Sequence, residues 1–288
     1  MVARRVPGVH RMDVVRSPSV NRSQLEELYT CYNRREFVSP DPLESLYDYD
    51  DVRDREIVAL IASSLAYGRV GQILKSVSTV LERMPSPSDF LTRASRESLR
   101  RTFANFKHRF TTGEELAAML YGVKKTVERY GSLHACFLDG LGKGDETVLP
   151  ALSAFVAALD AGANGNAGSL MPSPSGGSAC KRLNLFLRWM VRRDDVDPGG
   201  WFGVPCSKLV VPLDTHMHRA SLGLGLTKRR QADMRTSLEI TSAFREIAPA
   251  DPVKYDFALT RLGIRDDTDL TTFLRRCGRG KRASGGTD

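Results

Sequence analysis

Pro172-Ser-Pro-Ser-Gly176-Gly177-Ser178-Ala-Cys-Lys181-Arg182 leads into Leu183-Asn-Leu-Phe-Leu-Arg-Trp-Met-Val191. After a polar loop comes Val210-Val-Pro-Leu-Asp214-Thr-His216-Met-His218-Arg219. Turn-forming residues stop just before Lys181, so the lysine falls in the first turn of a helix made mostly of core residues. Asp214 stands at the head of the next helical element, where an aspartate is a natural N-cap. The extended segment between them, Lys208 to Leu213, is too short to seed a sheet.

Helical periodicity continues on both sides. Ser23–Arg35 carries Leu25, Leu28, Tyr29 and Tyr32 on one face. Asp41 can cap a short segment over Leu43–Tyr47. Asp54–Tyr67 is apolar around most of its circumference, which places it centrally, and Gly68 stops it before a helix over Val70–Arg83. Two lesser helices reach Phe106. A Thr112–Glu115 capping box then opens a helix closed by Gly131, and another spans Glu146–Leu159. Residues 161–177 read as a flexible loop. Arg235–Ala248 and Pro252–Leu262 are helical by pattern, and the Gly-rich basic tail 275–288 is expected to be disordered. There is no βαβ alternation and no internal repeat. The expectation is an all-α protein whose single domain, 23–274, is built as two helical lobes with a cleft between them.

Composition narrows the class. The 288 residues are 41% hydrophobic and 26% charged, an ordinary globular balance. No apolar run approaches the roughly 20 residues of a membrane span. A formal charge of +8 and a pI near 9.4 favour a polyanionic partner, nucleic acid ahead of an anionic membrane. Between Ser178 and Arg235 stand eleven basic residues and five aspartates, which concentrates most of that excess around the opening stretch. The five cysteines are scattered, without zinc-ribbon, cluster or disulfide spacing, so a reducing cytoplasmic setting is expected. Met1–Arg22, with five arginines and no apolar core, is read as a disordered basic arm in preference to an organellar transit peptide.

Lys181 has two readings. Unmatched backbone N–H groups and the positive end of the helix dipole disfavour a cation there, and burial acts in the same direction. That suits a nucleophile, since an unperturbed amine is only about 0.1% neutral at physiological pH, a penalty of roughly 4 kcal/mol. Alternatively, Lys181 and Arg182 are solvated, or touch phosphate, at the lip of a core helix. Gly176, Gly177 and Ser178 form either an ordinary turn or a phosphate-binding one. No Gly-x-x-x-x-Gly-Lys-Ser/Thr run is present, so ATP is not implied. Asp214 is a cap, a general base or charge stabiliser, or a metal ligand with His216 and His218. On a helix those three point apart, so no metal or other cofactor is expected.

Pro212-Leu-Asp-Thr-His-Met-His-Arg-Ala-Ser-Leu-Gly-Leu-Gly-Leu-Thr227 resembles the V-D-T-H-x-x-R-x-x-x-R-L-G-L signature of helix-hairpin-helix DNA glycosylases. In that superfamily the aspartate is catalytic, and bifunctional members carry a lysine where Lys181 stands. From about Asp41 to Ile264 the chain also resembles a family of uncharacterised bacterial proteins within the superfamily. That likeness is carried by Asp54–Arg69, Gly177–Arg192 and Asp251–Leu259. The separation of Lys181 from Asp214 is similar to that of the archaeal GO glycosylase, a class acting on 8-oxoguanine. The usual L-P-G-V-G-x-K-T-A hairpin is replaced, with Gly177 four positions before Lys181, and the four-cysteine cluster of endonuclease III-like members is absent.

The resemblance implies a base-excision-repair enzyme acting as a monomer on double-stranded DNA that carries a damaged base, such as an oxidised purine, in the cytoplasm near the nucleoid. Lys181 would attack the sugar of an extruded nucleotide, Asp214 would assist, and strand nicking by AP-lyase chemistry would follow. Tyr67, Gly68 and Arg69 fall where the superfamily places wedge residues. Gly176, Gly177, Ser178, Arg182, His216 and Arg219 would contact DNA. Trp201, in a loop, is a better base-stacking candidate than Trp189 in the core helix. The rival readings are a non-catalytic nucleic-acid-binding helical module and a metal-dependent hydrolase.

Overall fold

The computed structural model describes residues 20–264 and 269–283. The expected N-terminal arm therefore lies outside the described residues up to position 19, while Arg22 already opens a helix. In chain order the helices are α1 (Arg22–Tyr32), α2 (Val52–Ser64), α3 (Val70–Leu81), α4 (Pro87–Arg93) and α5 (Arg96–Thr102). A two-residue-per-strand hairpin, β1 (Lys107–His108) and β2 (Thr111–Thr112), follows. Then come α6 (Gly113–Tyr130), α7 (Leu133–Asp139), α8 (Leu149–Ala163) and α9 (Lys181–Val191). The chain continues with α10 (Thr215–Leu224), α11 (Met234–Ile247), α12 (Asp256–Ile264) and α13 (Leu270–Ala283). The fold is all-α, as the periodicity predicts. No helix among the described residues is long and apolar enough to cross a membrane.

Side-chain oxygens start most of these helices by accepting otherwise orphaned backbone N–H groups. Asn21 and Gln24 make a capping box, as do Thr112 and Glu115, and Gly131 closes α6 at φ 89. The central position expected for α2 holds: every residue from Glu56 to Ser64 is buried, and α2 packs on α3, α4, α7 and α9. Glu56 is the polar member of that face. Its carboxylate accepts the backbone N–H groups of Leu133 and His134 and the Trp201 indole N–H, at 2.8, 3.0 and 2.9 Å. Burial pushes this carboxyl upward while those three donors oppose the shift.

Two expectations about loops are corrected. Residues 161–163 are the last part of α8, which ends only at Asn164 in the left-handed region (φ 55). Gly162 is there for packing: α6 and α8 cross at Gly122 and Gly162, where a Cβ on Gly122 would lie 2.3 Å from the Leu159 carbonyl oxygen. Of the tail 275–288 expected to be disordered, residues 275–283 continue α13, and 284–288 lie outside the described residues. Leu270 and Cys277 are buried, with Phe273 and Leu274 half-buried between them, and this i, i+3, i+4, i+7 stripe lies on α10. Arg276 pairs with Glu27 of α1 at 2.9 Å.

Candidate active site at the heads of α9 and α10

The segment before α9 is pinned from the side. Gly177 takes φ 78 and its carbonyl accepts Met234 N–H at 3.1 Å, while Ser178 bridges Asp233 at the head of α11. Gly176, Gly177 and Ser178 are exposed, and Ser178 Oγ accepts Cys180 N–H at 3.3 Å. Cys180 then enters the left-handed region (φ 46) as the N-cap, with no side-chain cap bond, so the first turn of α9 presents its backbone N–H groups uncapped. Lys181 is the first residue of that turn.

Across from it, Asp214 caps α10. Its Oδ1 accepts Met217 N–H at 2.8 Å, and its Oδ2 lies 3.7 Å from Lys181 Nζ. The side chains are 32% and 20% exposed, so the pair is accessible without being fully solvated. Capping and facing the amine use different oxygens of one carboxylate. The two residues that the sequence singled out are thus brought together from 33 positions apart.

They stand at a small cavity, about 90 Å³, walled by α9 (Leu185, Arg188, Trp189), α12 (Asp256, Thr260, Arg261), Pro212, Asp41–Pro42, Ala66 and Ile73. Larger hollows exist, one of about 520 Å³ whose lining includes the exposed Arg100–Glu114 ion pair. The smaller cavity has unusual lining. Asp256 is buried and gives one oxygen to Arg188 at 2.5 Å. Its Oδ1, and the Nε1 of the fully buried Trp189, have no hydrogen-bond partner among the described residues. Buried polar atoms are rarely left this way, and both residues line the cavity beside Lys181 and Asp214. Burial, together with the nearby Asp214 charge, pushes the Asp256 carboxyl up to about 6, against the pull of Arg188.

Much of the positive charge counted from the sequence turns inward. Arg188 and Arg192 are buried. Arg188 bonds Asp197 and Asp256, and Arg192 bonds Asp197, Asp194 and Asp251. Arg182 donates to the carbonyl oxygens of Ser64 and Ser169, with its guanidinium 5.0 Å over the Tyr67 ring. It clamps α9 to α2 instead of reaching out to a phosphate. Arg193, Arg219, Lys228, Arg230 and Arg235 remain exposed. A charge count cannot separate these two groups, because the partners lie on other elements.

Tyr67, Gly68 and Arg69 form the bend between α2 and α3, with Gly68 at φ 102 and both Gly68 and Arg69 exposed. Tyr67 is turned onto the β1–β2 hairpin, its hydroxyl 2.9 Å from the His108 carbonyl oxygen and 2.7 Å from Thr111 Oγ1. His216 packs against α12 at Gly263, and His218 Nε2 lies 2.8 Å from the Arg229 carbonyl oxygen. Among the described residues, no three His, Cys, Asp or Glu side chains gather as a metal site would. Both tryptophans are buried, Trp189 in the core helix as expected and Trp201 against the expectation of a free loop ring. Trp201 is buried among Phe137, Phe155 and Phe186 with its indole N–H on Glu56, whereas Trp189 lines the cavity. Trp189 stands eight residues after Lys181, about 80° round α9 from it, and no sequence signal marked it as a cavity residue.

Residues 41–265 match a family described as "Protein of unknown function (DUF2400)", and the chain belongs to that family. No match is found among curated proteins or among solved structures.

Proposed function

We propose that this protein is a DNA glycosylase with AP-lyase activity, acting on a damaged base in duplex DNA. The observation that carries the reading is a lysine amine 3.7 Å from a helix-capping carboxylate at the rim of a cavity whose buried polar lining is incomplete. With the two-lobed arrangement expected of the helix-hairpin-helix glycosylases, this cavity is the floor of the cleft that receives the extruded nucleotide.

The residues take the following roles. Asp214 Oδ2 accepts a proton from the Lys181 ammonium, freeing the nitrogen lone pair. That lone pair attacks the sugar C1′, the bond from C1′ to the base breaks, and the electron pair leaves with the base, which takes up a proton. Ring opening gives the imine with Lys181 Nζ, and loss of a C2′ proton expels the 3′ phosphate. The 3.7 Å separation is longer than a proton-transfer hydrogen bond and would shorten in the productive complex. Asp256 and Trp189 line the same cavity, and their buried Oδ1 and Nε1 would meet an incoming group once the lining shifts to admit it.

Borohydride trapping tests this directly. Duplexes bearing 8-oxoguanine or an abasic site should yield a covalent adduct with the native protein and none with Lys181→Gln. An adduct that survives Lys181→Gln, or none with an active native preparation, sinks the assignment. Salt-sensitive DNA binding without turnover on any lesion would instead indicate a non-catalytic nucleic-acid-binding module, and loss of activity in EDTA a metal-dependent hydrolase.

A further inference from the structure

The β1–β2 hairpin carries at its tip the most exposed large apolar side chain among the described residues, Phe110, which is 79% accessible. Its neighbour Arg109 is held at φ 52, a conformation that side chains other than glycine rarely adopt. The hairpin is too short to be stable by its own ladder. It is fixed from below: buried His108 contacts Ser76 Oγ through Nδ1 at 2.8 Å and the Tyr67 carbonyl through Nε2 at 3.0 Å. The Tyr67 hydroxyl bonds both strands, and Arg109 lies on Gly68 so closely that a Cβ there would stand 2.7 Å from its Cδ. A rigid base therefore presents a free aromatic ring.

The surroundings select an occupant. Lys107 and Arg109 are exposed on the hairpin and Arg69 on the bend that Arg109 packs against, with the Arg109 guanidinium 5.5 Å from the Phe110 centroid. Below, Tyr67 leads through its contact with Arg182 to Lys181, and Ala66 next to it lines the cavity. An exposed aromatic ring on a basic hairpin, joined through Tyr67 and Arg182 to a site proposed to take a nucleotide out of its stack, matches duplex DNA. Phosphates meet the cations, and the ring slides between bases at the vacated step.

We propose that Phe110 is the side chain that inserts into the duplex and fills the space left by the extruded nucleotide, with Lys107, Arg109 and Arg69 on the flanking phosphates. This rests on the glycosylase reading for its substrate, but the insertion can be measured without any chemistry. Phe110 is at an exposed tip, so Phe110→Ala should fold normally. Its affinity for a duplex containing one abasic site should fall roughly tenfold or more, toward that for an intact duplex. Phe110→Trp should restore the preference, and the fluorescence of the introduced indole should be quenched on binding.

Equal affinity of the native protein and Phe110→Ala for the abasic duplex overturns the insertion while leaving the Lys181 chemistry standing. So does an introduced indole that stays unquenched in a Phe110→Trp complex that forms. Quenching of that indole in a protein that gives no borohydride adduct overturns the chemistry and supports the insertion. Failure of the native protein to bind any duplex, for instance because the hairpin serves a protein partner, overturns both.

Discussion

Asp214 caps α10 with one oxygen and faces Lys181 with the other, so the cap and the role we propose for it are separable. Asparagine can still accept Met217 N–H as a cap, so Asp214→Asn should leave the melting temperature within a few degrees while abolishing proton acceptance from Lys181. It should also act at a distance. Because the Asp214 charge helps to raise the Asp256 carboxyl, its removal should bring Asp256 down from about 6, read by carboxyl ¹³C shifts across a pH titration. For stability the sign is as follows. A carboxyl raised from its ordinary 3.8 to about 6 binds its proton more tightly in the native state, so its contribution is lost as pH rises between those values. Asp256→Asn should flatten that part of the stability profile, measured by urea unfolding at pH 4 and pH 7. Of these residues, Lys181 and Asp214 were legible because motif spacing exposes them. Asp256 and Trp189 were not, because an unpartnered atom exists only once three helices have packed.

Among the elements, α6 and α8 show how a composition reading fails. Ala161-Gly-Ala-Asn-Gly reads as a loop, yet the glycine is where two helices touch backbone to backbone. Gly122→Ala should therefore destabilise the protein by about 1–3 kcal/mol despite the higher helix propensity of alanine, because the Leu159 carbonyl cannot yield as a side chain would. Calorimetry of the two proteins decides between packing and propensity. The α6 start is the opposite case: Thr112 and Glu115 announce the capping box in the sequence and form it in the structure. Local chemistry within four residues is readable. The hairpin before it is not, since the Tyr67 contacts that fix it to the bend after α2 span 41 and 44 positions.

At the scale of the molecule, the cluster of Arg188 and Arg192 with Asp194, Asp197, Asp251 and Asp256 sits where α9 meets α12. Asp197 is shared by both arginines and fully buried. Asp197→Ala would leave two buried guanidinium groups short of a partner, a loss of about 3–5 kcal/mol. For a chain of this size that lowers the melting temperature by roughly 10 °C. The helical class was readable from periodicity because it sums many local signals. The net charge was readable too, but its distribution between surface and interior was not.

The course of α9 has a consequence for any attempt to improve the protein. One helix carries the amine at its first residue and, two and three turns later, the arginines that neutralise the buried acids. Replacing that ionic cluster by well-packed apolar side chains is a familiar route to a hardier protein. Here the same replacement would let α9 rotate or slide, and the Lys181–Asp214 distance would drift with it. Under the proposed chemistry, thermal robustness and reactivity are yoked through a single rigid rod, so selection for one should be paid in the other.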